Sequence, residues 1–551
     1  MTHPIASSSP PGPENAARRH LVWVLVSLAY LAVAPYFPRI NNPNENVRIW
    51  MTRAIALDHT FAIDHVTAEW GYVDDKATAR GHLYSSKAPG TSLAGVPVMW
   101  LQAKLWRACG WPTPSKRAVT FALRYLTVVP CALTFLLLFG RWVERRTRSP
   151  GARDLLTVAV GLGTLLYPYG ILFVGHAQAA MLGFGAFMAL AWGPGDDERE
   201  RRGDRRDDHR ATPAPSWRLS PARLAAAGAL AGAAVVFEYQ VVLLSAAVAG
   251  LAAWRARARF GWFLLGALPP AAALGAYHTA VFGRPWAFPY GHLENQTYAH
   301  VHHGTGFFGL HAPALEALGT SLFSVSYGLF VFSPFLLVGA GLLVKRAVQT
   351  ERAEAVTLLA GAAALVLFLS GMTHWRAGWC VGPRYIAAVA PVLAAGVALQ
   401  WRWFAGDDRA ASWRRGLLGG LVAVSVALNG LSAATYPHYP ESFDNPVFDL
   451  ALPAWRAGYV PSGLGHALGL PRLTALLPLA ALWAAALGVA LSSPRPAPIE
   501  SRSRAWWPRE GAIALAVATL CLGLLASYGR HPSAAETHAT DVVRSLWDPH
   551  P

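Results

Sequence analysis

Apolar runs of membrane-spanning length recur along the chain, separated by short polar segments. The first covers residues 21–38. Others lie near 119–139, 155–173, 176–192, 222–237, 241–254, 260–282, 322–344, 355–371, 386–401, 417–433, 473–491 and 513–528, which makes thirteen predicted helical spans. The run at 91–106 is apolar but short and holds Pro97, Gln102 and Lys104, so it predicts a half-buried interfacial helix. The first run meets Pro35, Tyr36, Phe37 and Pro38 in place of a small-residue cleavage site, which predicts an uncleaved first span.

The charges between the runs set the sides. Counting 91–106 as a span would force Arg141, Arg145, Arg146, Arg148 and Arg153 outside; leaving it out restores a positive inner side at every later loop. On that assignment 29 of the 47 Lys and Arg lie inside. The division is then a cytoplasmic tail at 1–20, the first span, an outer loop at 39–117, and spans two to eleven within 118–433. That region holds an inner linker at 194–221 and an outer loop at 283–320. An outer loop at 434–471, spans twelve and thirteen within 472–528 and an outer tail at 529–551 follow. The mixed-sign block at 196–210 predicts a disordered spacer. Only the first outer loop breaks the charge trend, with ten Lys and Arg before Arg124 at the edge of the next span.

Composition narrows the class. Of 551 residues 54% are hydrophobic and 14% charged, against about 25% charged in a soluble chain. The 22 Trp suit rings anchored at two headgroup layers. Four scattered cysteines exclude a disulfide scaffold or a Cys-x-x-Cys metal site. The net charge of +16 is mostly an orientation signal and does not point to nucleic acid.

Within the first outer loop, Val47, Trp50, Met51, Ala54, Ile55 and Leu57 share one helical face, as in a helix lying in the interface. Glu45 opens that helix, where the backbone dipole favours an anion; a plain helix-capping role fits equally. Farther on, Asp74-Asp75-Lys76 precedes Tyr84-Ser85-Ser86-Lys87-Ala88-Pro89-Gly90. One lysine on a Ser/Pro/Gly turn at the membrane surface suits a lipid phosphate, and an ordinary turn into the 91–106 helix fits the same residues.

This constellation resembles the GT-C superfamily, polytopic glycosyltransferases that take sugar from a polyprenyl-phosphate carrier and include the lipid A aminoarabinose transferases and protein O-mannosyltransferases. Glu45 with Arg48 is similar to the family's acidic motif, and Lys87-Ala88-Pro89 to its Lys-Pro-Pro turn. Ser86 stands where an acidic residue usually precedes that lysine, which leaves Asp74 or Asp75 as substitutes. The resemblance implies an all-α integral membrane GT-C-like bundle in a bacterial inner membrane, with the active site on the periplasmic side. It implies inverting transfer from an undecaprenyl-phosphate sugar; with outer loops too short for a folded domain, the expected acceptor is a glycan, lipid or flexible polypeptide. Glu45 would deprotonate or orient the acceptor hydroxyl, kept ionised by Arg48, with Asp75 as a second carboxylate; Lys87, Arg384, Arg48 and Arg376 would hold the carrier phosphate. No cofactor is implied.

Other outward residues extend the candidate site. Trp375-Arg376-Ala377-Gly378-Trp379 and Gly382-Pro383-Arg384-Tyr385 place arginines at headgroup depth, where outer arginines are scarce. An aromatic-belt anchor with a snorkelling arginine is the plainer alternative. His176 and Glu238 are ionisable groups at span ends and so are cavity candidates. His300-x-His302-His303, with Glu294 nearby, could bind a divalent metal, but without an i, i+4 helix pair or a carboxylate cage the loop reads better as a polar lid; His302, Tyr84 and Tyr385 are further substrate candidates. A secondary transporter or lipid flippase is the competing class, yet mid-span positions are nearly free of charge.

Overall fold

The computed structural model describes residues 13–33, 35–36, 42–192, 219–303, 309–349, 352–406, 408–461, 463–492 and 509–528. The linker at 194–221 expected to be disordered falls almost wholly outside them, as does the tail at 529–551. Within the described residues six helices are long and apolar enough to cross a membrane: Lys116–Thr147, Tyr239–Arg259, Ala353–Ser370, Arg409–Ala434, Leu473–Leu491 and Arg509–Ser527. His20–Leu31, Pro221–Phe237 and Val389–Leu399 are apolar but shorter. The chain is a multi-pass helical membrane protein, and continuous helices of full length do not reproduce the thirteen predicted spans.

Backbone chemistry explains the difference. The run expected as one span at 322–344 is broken into Leu315–Phe323, Leu329–Phe332 and Phe335–Ala347. Pro334 has no N–H to continue the ladder, and Ser324 turns the chain by accepting from Gly328 N–H at 2.6 Å. The run at 155–173 likewise stops at Leu162 and resumes as a single turn, Leu166–Tyr169.

Helix crossings use small residues. A Cβ on Gly228 of Pro221–Phe237 would fall on the Phe263 carbonyl of Gly261–Phe282, and one on Gly266 on the Ala225 carbonyl, so the two backbones touch. Gly339 and Gly396 do the same between Phe335–Ala347 and Val389–Leu399. Such close approach supplies dispersion contact where lipid removes the hydrophobic drive.

A second apolar core joins the first loop to this bundle. Val47, Trp50 and Met51 of α1 (Pro43–Arg53) pack with Val119, Phe173, Tyr277 and Val281. Every residue from Asn44 to Arg53 is buried, so α1 is covered on all sides, where its amphipathic pattern predicted only one covered face. Its polar face is covered too, because Arg48 and Glu45 both find buried partners. The helix α2 (Gly90–Ala108) keeps the expected half-buried character, with Trp100, Leu101 and Leu105 exposed.

Candidate functional site

Between α1 and α2 the loop makes a hairpin that its sequence did not announce: β1 (Lys76–Ala79) pairs antiparallel with β2 (His82–Ser85). The two-residue turn has Arg80 at φ +50° and Gly81 at φ +80°, the left-handed pair that matches strand twist. At the open end, Ser86 N–H and Oγ both donate to Asp75 O, at 3.0 and 2.9 Å. That closure sets Lys87 Nζ 2.9 Å from Asp75 Oδ1. Ser86 therefore buckles the strands together while Asp75 supplies the carboxylate from across the hairpin.

Asp75 and Lys87 face a cavity of about 440 Å³, with Arg384 and Tyr385 on its wall. Arg384 stands on a short turn, Arg384–Ile386, after Gly382, whose φ of +58° strains any side chain and whose Cβ would press on the Leu165 side chain. Its Nε is buried without a hydrogen-bond partner among the described residues, and its guanidinium lies 5.7 Å from the Tyr385 ring centre. Burial pushes the Lys87 ammonium below the usual lysine range, against the pull of Asp75, and Arg384 and Arg48 push it further down.

Glu45 and Arg48 lie behind this wall. Arg124 grips Glu45 bidentately, Nε to Oε1 at 2.6 Å and Nη2 to Oε2 at 2.5 Å, and Phe173 N–H donates to Oε1 at 2.7 Å. Arg124 opens a one-turn π segment, Arg124–Val128, inside the Lys116–Thr147 helix, and such a bulge redirects side chains. Burial raises the Glu45 pKa, but the charge and hydrogen bonds of Arg124 and the Phe173 amide outweigh it and hold the carboxyl below its ordinary value.

Arg48, expected beside Glu45 and at the carrier phosphate, is fully buried and pairs with Glu238 Oε1 at 2.6 Å. It also donates to Asn44 Oδ1 and Ala88 O, so it braces the Lys87 turn from behind. His176 is buried with Nδ1 3.4 Å from Glu238, and its ring meets that of Tyr385 at 6.1 Å. Tyr84 packs in the second core against Phe282, and the Arg376 guanidinium lies 5.1 Å from the Trp375 ring centre; neither lines the cavity. His302 falls within the helix Gln296–His303, its side chain outside the described residues.

The cavity also gathers residues that sequence did not single out for the site: Asn42, Asn44, Tyr298, His374 and His438. His438 lies near Asn42 Nδ2 at 3.1 Å, and burial pushes it down to about 4 against the pull of Glu45. The loop at 283–320 reaches the site by an isolated bridge between Leu293 and Ala77, backed by Lys76 Nζ at 3.4 Å from Glu294.

No family model matches the chain, and no curated protein sequence does. Among solved structures it is similar to ArnT from Cupriavidus metallidurans bound to undecaprenyl phosphate, at 16% identity over 93% of this chain and 79% of that one, TM-score 0.43. It is also similar to the Archaeoglobus fulgidus oligosaccharyltransferase in the apo form, at 11% identity over 77% and 57%, TM-score 0.42. A third similar structure is the arabinosyltransferase EmbB from Mycobacterium smegmatis, at 14% identity over 97% and 44%, TM-score 0.41.

Proposed function

We propose that the protein is a membrane glycosyltransferase that moves a sugar from a polyprenyl-phosphate carrier to an acceptor hydroxyl at the outer, periplasmic face of a bacterial inner membrane. The observation that carries this is one cavity holding Lys87, the partly unsatisfied Arg384 and the carboxylate of Asp75. Two cations and one carboxylate suit a phosphate leaving group and a hydroxyl nucleophile.

In the proposed step Asp75 accepts the proton of the acceptor hydroxyl as its oxygen attacks the anomeric carbon. The bond from that carbon to the phosphate oxygen breaks, and its electron pair leaves with the polyprenyl phosphate. Lys87 and Arg384 offset the charge that develops there. Arrival of the carrier phosphate draws Lys87 from Asp75, which frees the carboxylate for the acceptor. A single displacement of this kind inverts the anomeric centre. Glu45 acts as a positioning residue: through Arg124 it locks α1 to the Lys116–Thr147 helix, and Arg48 holds the Lys87 turn on the same support.

The test uses purified protein in nanodiscs with a panel of undecaprenyl-phosphate sugars. Release of undecaprenyl phosphate from at least one of them, abolished by Lys87→Ala and by Arg384→Ala, is expected. No turnover of any carrier, with transport of a lipid-linked substrate in liposomes, would favour the flippase class.

A further inference from the structure

The cavity wall carries groups that phosphate chemistry does not require. Trp379, half exposed, shares it with Tyr290 and Tyr298, and three residues with side-chain amides, Asn42, Asn44 and Asn295, line the same cavity. Flat aromatic faces cover the C–H face of a sugar ring, and carboxamides pair with neighbouring hydroxyls through one donor and one acceptor. The amides are held in place: Asn44 Oδ1 accepts from Arg48 Nε at 3.2 Å, Asn295 Oδ1 from Thr297 N–H at 3.0 Å, and Asn42 caps α1.

The backbone before Trp379 is strained. Ala377 is buried at φ +62° and Gly378 follows at φ +72°, two successive left-handed residues that both line the cavity. A left-handed alanine costs energy that persists only where surroundings impose it, and such residues cluster at ligand clamps. Here Ala377 N–H donates to His374 O at 3.2 Å and Cys380 N–H to Tyr439 O at 3.0 Å, so the tryptophan is presented between two anchored points.

We infer that this wall is a saccharide-binding subsite and that the acceptor is a carbohydrate. The role as acceptor rests on the proposed glycosyl transfer; saccharide binding itself stands on the lining. A peptide acceptor adding as a strand would need the open edge of β1, which Leu293 already occupies through its bridge to Ala77. A lipid acceptor whose headgroup carries no sugar would leave most of the three amides and the aromatic faces unused.

The experiment is saturation-transfer NMR on the full chain in nanodiscs with maltotriose, mannotriose, arabinotriose and chitotriose, beside a Ser/Thr-rich hexapeptide. Wild type should saturate with at least one trisaccharide. Trp379→Ala should weaken that binding at least about tenfold, and Trp379→Phe should restore most of it. No trisaccharide binding to wild type, equal binding by Trp379→Ala, or binding of the hexapeptide alone would overturn the subsite. Undecaprenyl phosphate binding is measured on the same samples. Its absence beside retained trisaccharide binding would overturn the donor assignment and leave the subsite standing.

Discussion

Lys87 Nζ sits 2.9 Å from Asp75 Oδ1, the one just beyond β2 and the other just before β1 at the open end of the hairpin. The acidic neighbour expected from the GT-C resemblance just before the lysine is Ser86 here, and Ser86 ties its own backbone and hydroxyl to Asp75 O. The carboxylate reaches the lysine through space in place of sequence adjacency. A lysine so placed, in one cavity with Arg384, is the basis of the predictions that follow.

Asp75→Asn should lower transfer by about 100-fold or more, the usual scale for loss of a general base. Carrier binding should be unchanged or tighter, because Lys87 loses its competing partner. Separate measurement of kcat and of carrier affinity checks this; a rise in KM with kcat intact would contradict it.

Because burial lowers the Lys87 pKa, the ammonium proposed to grip phosphate is lost as pH rises through a value below the ordinary lysine range. Carrier affinity in wild type should therefore fall on the alkaline side before free lysine would titrate. Lys87→Arg should hold its affinity through the same window, which a pH series of binding measurements reads directly.

Glu45→Gln leaves Arg124 buried without its counter-charge, a change that costs about 3–5 kcal/mol in comparable pairs. Its Tm should fall well below wild type, while Glu45→Gln with Arg124→Met should recover part of the loss. The Glu45 pKa is depressed in the folded state, so its contribution is present above the unfolded carboxylate pKa and is lost as pH falls through the lower native value. The Tm gap between wild type and Glu45→Gln should shrink under acid; a gap independent of pH would contradict the pairing.

Gly228→Val would drive a side chain into the Phe263 carbonyl and separate two helices that touch by backbone. Lower Tm and loss of folded protein in detergent are expected, whereas Gly250→Ala, which meets nothing within 4 Å among the described residues, should be neutral.

The apolar runs made the helical character legible, and charge sorting singled out the first loop as the exceptional one. Within it Glu45, Asp75 and Lys87 stood out as ionisable groups, with Asp74 or Asp75 as a stand-in for the acid before Lys87, but the partners of Glu45 and Arg48 were hidden. Arg124 looked like a charge at the edge of a span, since nothing local reveals that a π segment turns it onto Glu45. Arg48 sits one turn from Glu45 and invited that pairing, yet Glu238, distant in sequence, claims it. The hairpin was hidden because β1 and β2 have only four residues each, too few for a period-two pattern to show. His438 and Asn42 meet across most of the chain, a contact that no spacing encodes.

The most direct test is the affinity of undecaprenyl phosphate, without sugar, for the protein in nanodiscs, compared among wild type, Lys87→Ala, Arg384→Ala and Arg376→Ala. Saturable binding weakened at least about tenfold by each of the first two substitutions, and little changed by Arg376→Ala, is the predicted result. Equal binding by wild type, Lys87→Ala and Arg384→Ala would contradict the assignment of this cavity to a carrier phosphate.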